Sequence, residues 1–68
     1  MTLLTQREAA VVLRLSERTL ERMRVQGANG PRFLKLNRSI RYDQQELERW
    51  AASRAVRSTS EVAGRAVR

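Results

Sequence analysis

Neither cysteine nor histidine occurs among the 68 residues. Disulfides, thiolate and imidazole metal ligands, and the common nucleophile–base pairs of covalent catalysis are therefore excluded. Aromatic residues are scarce: Phe33, Tyr42 and Trp50 are the three present, and they are not interleaved with the basic residues as a single-strand stacking platform requires. The longest apolar run, Ala9 to Leu13, falls far short of the ~20 residues of a membrane span. The N-terminus also carries no signal-peptide hydrophobic region, so a soluble cytoplasmic protein is expected. At 41% apolar residues, a chain of this length makes one small domain that needs nearly every large apolar side chain for its core and has no room for an enclosed catalytic cavity. Neither an enzyme nor a cofactor-binding protein is expected.

Positive charge is plentiful. Fourteen Lys and Arg face seven Asp and Glu, for a net charge of +7, and the pI is near 11.7. Such an excess favours a polyanionic partner, nucleic acid or an acidic membrane surface. Thirteen of the fourteen basic residues are Arg. That bias suits phosphates and guanine edges, which the planar guanidinium matches, and it is equally what a GC-rich genome produces. The charge is also uneven. Residues 16 to 42 hold seven basic and two acidic side chains, residues 43 to 53 hold one and three, and residues 54 to 68 hold four and one.

Along the chain, Thr5-Gln6-Arg7-Glu8 reads as a capping box that starts a first helix near Gln6, with Ala9, Ala10, Val12 and Leu13 as its apolar side. Leu15 and Ser16 interrupt that pattern. Ser16 is a second N-cap, flanked by Leu15 and Leu20 as a hydrophobic staple, and predicts a helix from Glu17 to about Gln26 that Gly27 ends. Two short helices so closely spaced form a helix-turn-helix candidate. Between Arg32 and Tyr42 the period changes to two. A three-residue loop of Asn37, Arg38 and Ser39 is expected, because it puts Leu34, Leu36, Ile40 and Tyr42 on one face of a hairpin, whereas a two-residue turn sets Leu34 or Leu36 across from Arg41. Asp43 is read as the N-cap of a third helix with Glu46 reaching back, and Leu47 and Trp50 are expected to pack on the hairpin and on the first helix. Residues 1–55 make the domain. Residues 56–68 make a flexible basic tail, in which Gly64 argues against a weak helix over 60–67.

The residues Leu4-Thr5, Glu8-Ala9-Ala10, Leu13, Ser16, Thr19-Leu20, Arg22-Met23 and Gly27, followed by Gly30-Pro31, Phe33, Lys35-Leu36, Arg38, Ile40-Arg41-Tyr42, Leu47 and Trp50, resemble the excisionase-like winged helix-turn-helix proteins of the MerR-type superfamily. That group includes phage excisionases, also called recombination directionality factors, and AlpA-like regulators. The resemblance spans residues 3 to about 52 and implies a mainly α fold with a small β-hairpin, in the order helix, helix, hairpin, helix. It departs at Asn37, where the family often has Gly; Asn is the next most tolerant residue of positive φ. The long dimerisation helix and effector domain of MerR-type proteins have no counterpart here, so no small-molecule ligand is expected.

Leu20 and Met23 facing inward turn Arg18, Arg22 and Val25 outward, with Thr19 and Gln26 at the border. Arg18 and Arg22, one turn apart, can enter a major groove and donate to guanine; the alternative is a solvated face on which they pair with Glu17 or Glu21. Ser16 and Thr19 are either phosphate contacts or parts of a helix cap. By resemblance, the wing of Lys35, Asn37, Arg38, Ser39 and Arg41 holds DNA, with Arg38 at its tip entering the minor groove and Lys35 and Arg41 on phosphates. Arg41 has a second reading, packed over Phe33 or paired with Asp43. Arg54 and Arg57 are candidate contacts to flanking phosphates. Trp50 is read as core in preference to a stacking base-binder.

The implied function is sequence-specific binding of double-stranded DNA by an excisionase, several copies of which bind and bend attachment-site DNA cooperatively and steer a cognate integrase toward excision in a bacterial host. The alternative is a small AlpA-like transcriptional regulator at a promoter. A protein-binding adaptor would need a larger apolar patch than these few hydrophobes supply.

Overall fold

Local hydrogen bonding sets the helix boundaries. In a computed structural model that describes residues 1–27 and 29–57, helix α1 spans Gln6–Leu13 and α2 spans Glu17–Gln26. The Glu8 N–H donates to Thr5 Oγ1 at 3.1 Å and the Thr5 N–H donates to Glu8 Oε1 at 2.9 Å, so the expected capping box is formed in both directions. Helix α1 ends at Arg14, whose φ is +56°. The Leu15 N–H returns to the Ala10 carbonyl at 3.0 Å and the Arg14 N–H to that of Val11 at 3.1 Å, which closes a Schellman motif and turns the chain sharply into α2. Ser16 Oγ accepts from the Thr19 N–H at 3.1 Å, and Gly27, at φ +69°, closes the other end of α2 by donating to Met23. Gly30 meets a different demand: a Cβ there would lie 2.8 Å from Met23 Cβ, so the chain leaving α2 can press against it only as glycine.

Strands β1 (Leu3–Thr5), β2 (Leu34–Leu36) and β3 (Ser39–Asp43) form an antiparallel sheet in the order β1-β3-β2, and α3 (Gln44–Ser53) follows β3 directly. The hairpin differs from the sequence-based expectation. Leu36 pairs with Ser39, Lys35 with Ile40 and Leu34 with Arg41, so the turn contains two residues, Asn37 and Arg38. Asn37 takes positive φ (+59°). Phe33, Lys35, Ile40 and Tyr42 therefore fall on one side, while Leu34, Leu36 and Arg41 fall on the other. The strand β1, unforeseen in the sequence, explains why: Leu4 pairs with Tyr42, and these two with Ile40 cover the helices from the sheet without help from β2. Leu36 is left 47% exposed. Arg41 tolerates its place opposite Leu34 because its Nη1 folds back to the Ile40 carbonyl at 2.8 Å and leaves its stem along the sheet.

Ala9, Ala10, Leu20, Tyr42 and Leu47 form the buried core, with Leu4, Leu13 and Ile40 packed around it. Every element except the edge strand β2 thus contributes. Two expectations for α3 are corrected. Asp43 occupies the N-cap position but makes no side-chain cap bond. The Gln44 N–H, beyond the reach of an N-cap side chain, donates to the Thr2 carbonyl at 2.9 Å next to the β1–β3 ladder, and Glu46 turns toward Arg49 at 3.8 Å. Trp50 lies outside the core, half-buried, because its indole Nε1 donates to the Asn29 carbonyl at 3.2 Å. The weak helix considered for 60–67, and the tail from residue 58 onward, lie outside the described residues.

Candidate nucleic-acid interface

With Leu20 fully buried, the helical angle of about 100° per residue turns Arg18, Glu21, Arg22 and Val25 to the far side of α2. All four are exposed, and they line one shallow depression on its surface. Among the described residues Arg18 and Arg22 make no hydrogen bond or ion pair, so the pairing of these cations with Glu17 or Glu21 does not form. Two guanidiniums one turn apart on an otherwise unobstructed stripe can donate to acceptors on base edges or phosphates. Ser16 and Thr19 are differently placed. Ser16 Oγ accepts from the Thr19 N–H and donates to Thr19 Oγ1 at 2.8 Å, so both side chains are engaged in the cap.

At the wing, Arg38 stands exposed in the turn between β2 and β3, with Asn37 beside it and Ser39 opening β3. Lys35 is exposed on β2. Arg41 is half-buried and its guanidinium is bonded to the Ile40 carbonyl of its own strand. Arg54 is occupied: its guanidinium lies 5.5 Å from the Trp50 ring centroid and donates to the Asn29 carbonyl at 2.8 Å. Arg57 is exposed.

One cation does structural duty that its sequence position did not reveal. Arg24 donates from Nε to Gln6 Oε1 at 3.2 Å and covers the Phe33 ring at 5.9 Å, joining α2 to the start of α1 and to the chain entering the wing. A signal was present, since Arg24 lies four residues beyond buried Leu20 and hence on the inner side of α2. Nearby, the buried Tyr42 hydroxyl makes no hydrogen bond of good geometry among the described residues, although the Arg24 guanidinium is close enough to interact with it. Burial raises its pKa above the ordinary 10.0, and the Arg24 charge opposes part of that rise.

The exposed second helix, the sharp turn before it and the hairpin behind it are the parts of a winged helix-turn-helix. The helix-turn-helix domain, a family of excisionase- and AlpA-like small DNA-binding domains, matches residues 3–55. This chain belongs to that family. No curated protein matches it. As a helix-turn-helix protein it is a small DNA-binding protein with double-stranded DNA as its partner. Among the described residues, no helix is long and apolar enough to cross a membrane.

Proposed function

We propose that this helix-turn-helix protein is an excisionase, which binds and bends attachment-site DNA and steers a cognate integrase toward excision without contributing chemistry of its own. The observation that supports DNA reading by α2 is its stripe: Arg18 and Arg22 are exposed, one turn apart and free of protein partners among the described residues, while Arg24 is tied down. The choice of excision over promoter control rests on the family resemblance, since both roles use the same residues. In this reading α2 enters the major groove with Arg18 and Arg22 on guanine edges. The wing lies along the backbone, with Lys35 on phosphate and Arg38 in a narrow minor groove, where negative potential is concentrated. Copies assemble cooperatively on repeated sites. Residues 56–68 form a basic extension that adds phosphate contacts, so a chain ending at Ala55 keeps its site preference and loses steepness in its salt dependence.

The test is footprinting on DNA flanking the gene, followed by a recombination assay with the integrase encoded nearby. Protection of repeated sites beside an attachment core and a rise in excision are expected. Protection confined to a promoter, with altered transcription and unchanged excision, would assign the chain to the AlpA-like regulators.

A further inference from the structure

Val25 is 70% exposed on a helix whose mean character is strongly polar, and it makes no contribution to the core. Isolated surface valines are ordinary. This one is not randomly placed. Taking Leu20 as the inward direction, Arg18 and Arg22 lie nearest the point opposite it, and Val25 lies about 40° from that point, between Arg18 and Glu21 on the same outward stripe. Valine is also a poorer helix former than the Arg, Glu or Gln that fill the neighbouring surface positions, so local stability does not explain its presence.

We propose that Val25 is a specificity-determining residue that packs against the C5-methyl group of a thymine in the major groove, and so selects a thymine-containing base pair beside those met by the arginines. The proposal rests on α2 being the element that reads base edges. Its physical basis is the pattern of the groove itself: thymine is the one base that presents a methyl group there, and an aliphatic side chain held near it excludes water from both. Seven residues separate Arg18 from Val25, a rise of about 10 Å along the helix. The stripe therefore extends over a short run of neighbouring base pairs, with cations toward its start and an apolar contact toward its end.

The experiment begins by selecting bound sequences from random duplexes with the full chain, then replaces each thymine of the selected site with uracil, which removes the methyl group and leaves every hydrogen-bonding atom. Binding is measured for the wild-type chain and for Val25→Ala, a change that favours the helix and touches nothing in the core. One thymine is expected at which uracil weakens wild-type binding about fourfold, the value of one buried methylene-sized group, and at which Val25→Ala is indifferent. Equal uracil sensitivity in both proteins, or none in the wild type, would overturn the assignment. Should Val25→Ala bind every duplex like the wild type yet lose assembly with a protein partner, Val25 belongs to a protein contact instead. A selection that yields no preferred sequence would remove base reading by α2 itself, and this role with it.

Discussion

Trp50 and Asn29 are joined by a hydrogen bond of 3.2 Å from the indole to the backbone carbonyl, and this bond ties α3 to the turn that leaves α2. Arg54 donates to the same oxygen at 2.8 Å. Because Trp50 is half-buried and not enclosed, Trp50→Phe should cost about 1 kcal/mol, the worth of the lost hydrogen bond, and should leave the domain folded. Arg54→Ala should cost a similar amount through the shared acceptor and the ring contact. Urea denaturation of both variants checks this; a collapse of the fold on Trp50→Phe would mean that the indole is part of the core.

Arg18→Ala and Arg22→Ala should each lower affinity for the selected site by about 1–3 kcal/mol and relax preference at one base pair. Neither change should alter the melting temperature by more than a small amount, since both side chains are exposed and unpaired among the described residues. Titrations on cognate and random duplexes separate the cases. Equal losses on both would make them phosphate contacts.

Arg38→Ala should weaken binding and reduce the bend in the DNA, because a guanidinium at the wing tip responds to groove width more than to base identity. Circular-permutation mobility assays read the bend directly. An unchanged angle would remove Arg38 from the minor groove.

Tyr42→Phe should change stability at neutral pH by no more than about 1 kcal/mol, since the buried hydroxyl makes no hydrogen bond of good geometry among the described residues and interacts only with the Arg24 charge. The pH dependence has a definite sign. Burial raises the folded-state pKa above 10.0, so the folded protein retains a proton that the unfolded chain releases, and stability falls as pH rises above about 10. The variant should show a smaller alkaline loss. Parallel falls in both proteins, measured by denaturant midpoint at neutral and alkaline pH, would place the titration elsewhere.

Features closed within a few residues were legible in the sequence. Thr5 with Glu8, Ser16 with Thr19 and Gly27 with Met23 are local bonds, and each fell where the residue types indicate. The outward direction of Arg18 and Arg22 followed from Leu20 for the same reason. The hairpin register was not legible, because it is decided by Leu4 meeting Tyr42 across the length of the domain, and a three-residue strand carries almost no periodic signal. The start of α3 at Asp43 was legible, and only the side-chain bonds of its cap were not. Asp43 has the chemistry of a cap, yet Glu46 turns to Arg49 and not back to the helix start. The diversion of Arg24 likewise depends on Gln6 and Phe33, partners supplied by other elements.

The pairing of β1 with β3 has a kinetic meaning. Leu3 to Thr5 meet Arg41 to Asp43, so the ladder encloses both helices of the helix-turn-helix and the strand β2 in one long loop. Closing it costs chain entropy before its contacts return any, and α1 and α2 are too short to persist in isolation. Folding speed should accordingly be governed by this closure, and a peptide spanning the two helices alone should remain unstructured in water. The capacity to read DNA thus arrives in a single cooperative event, when the beginning of the chain finds the strand that precedes α3.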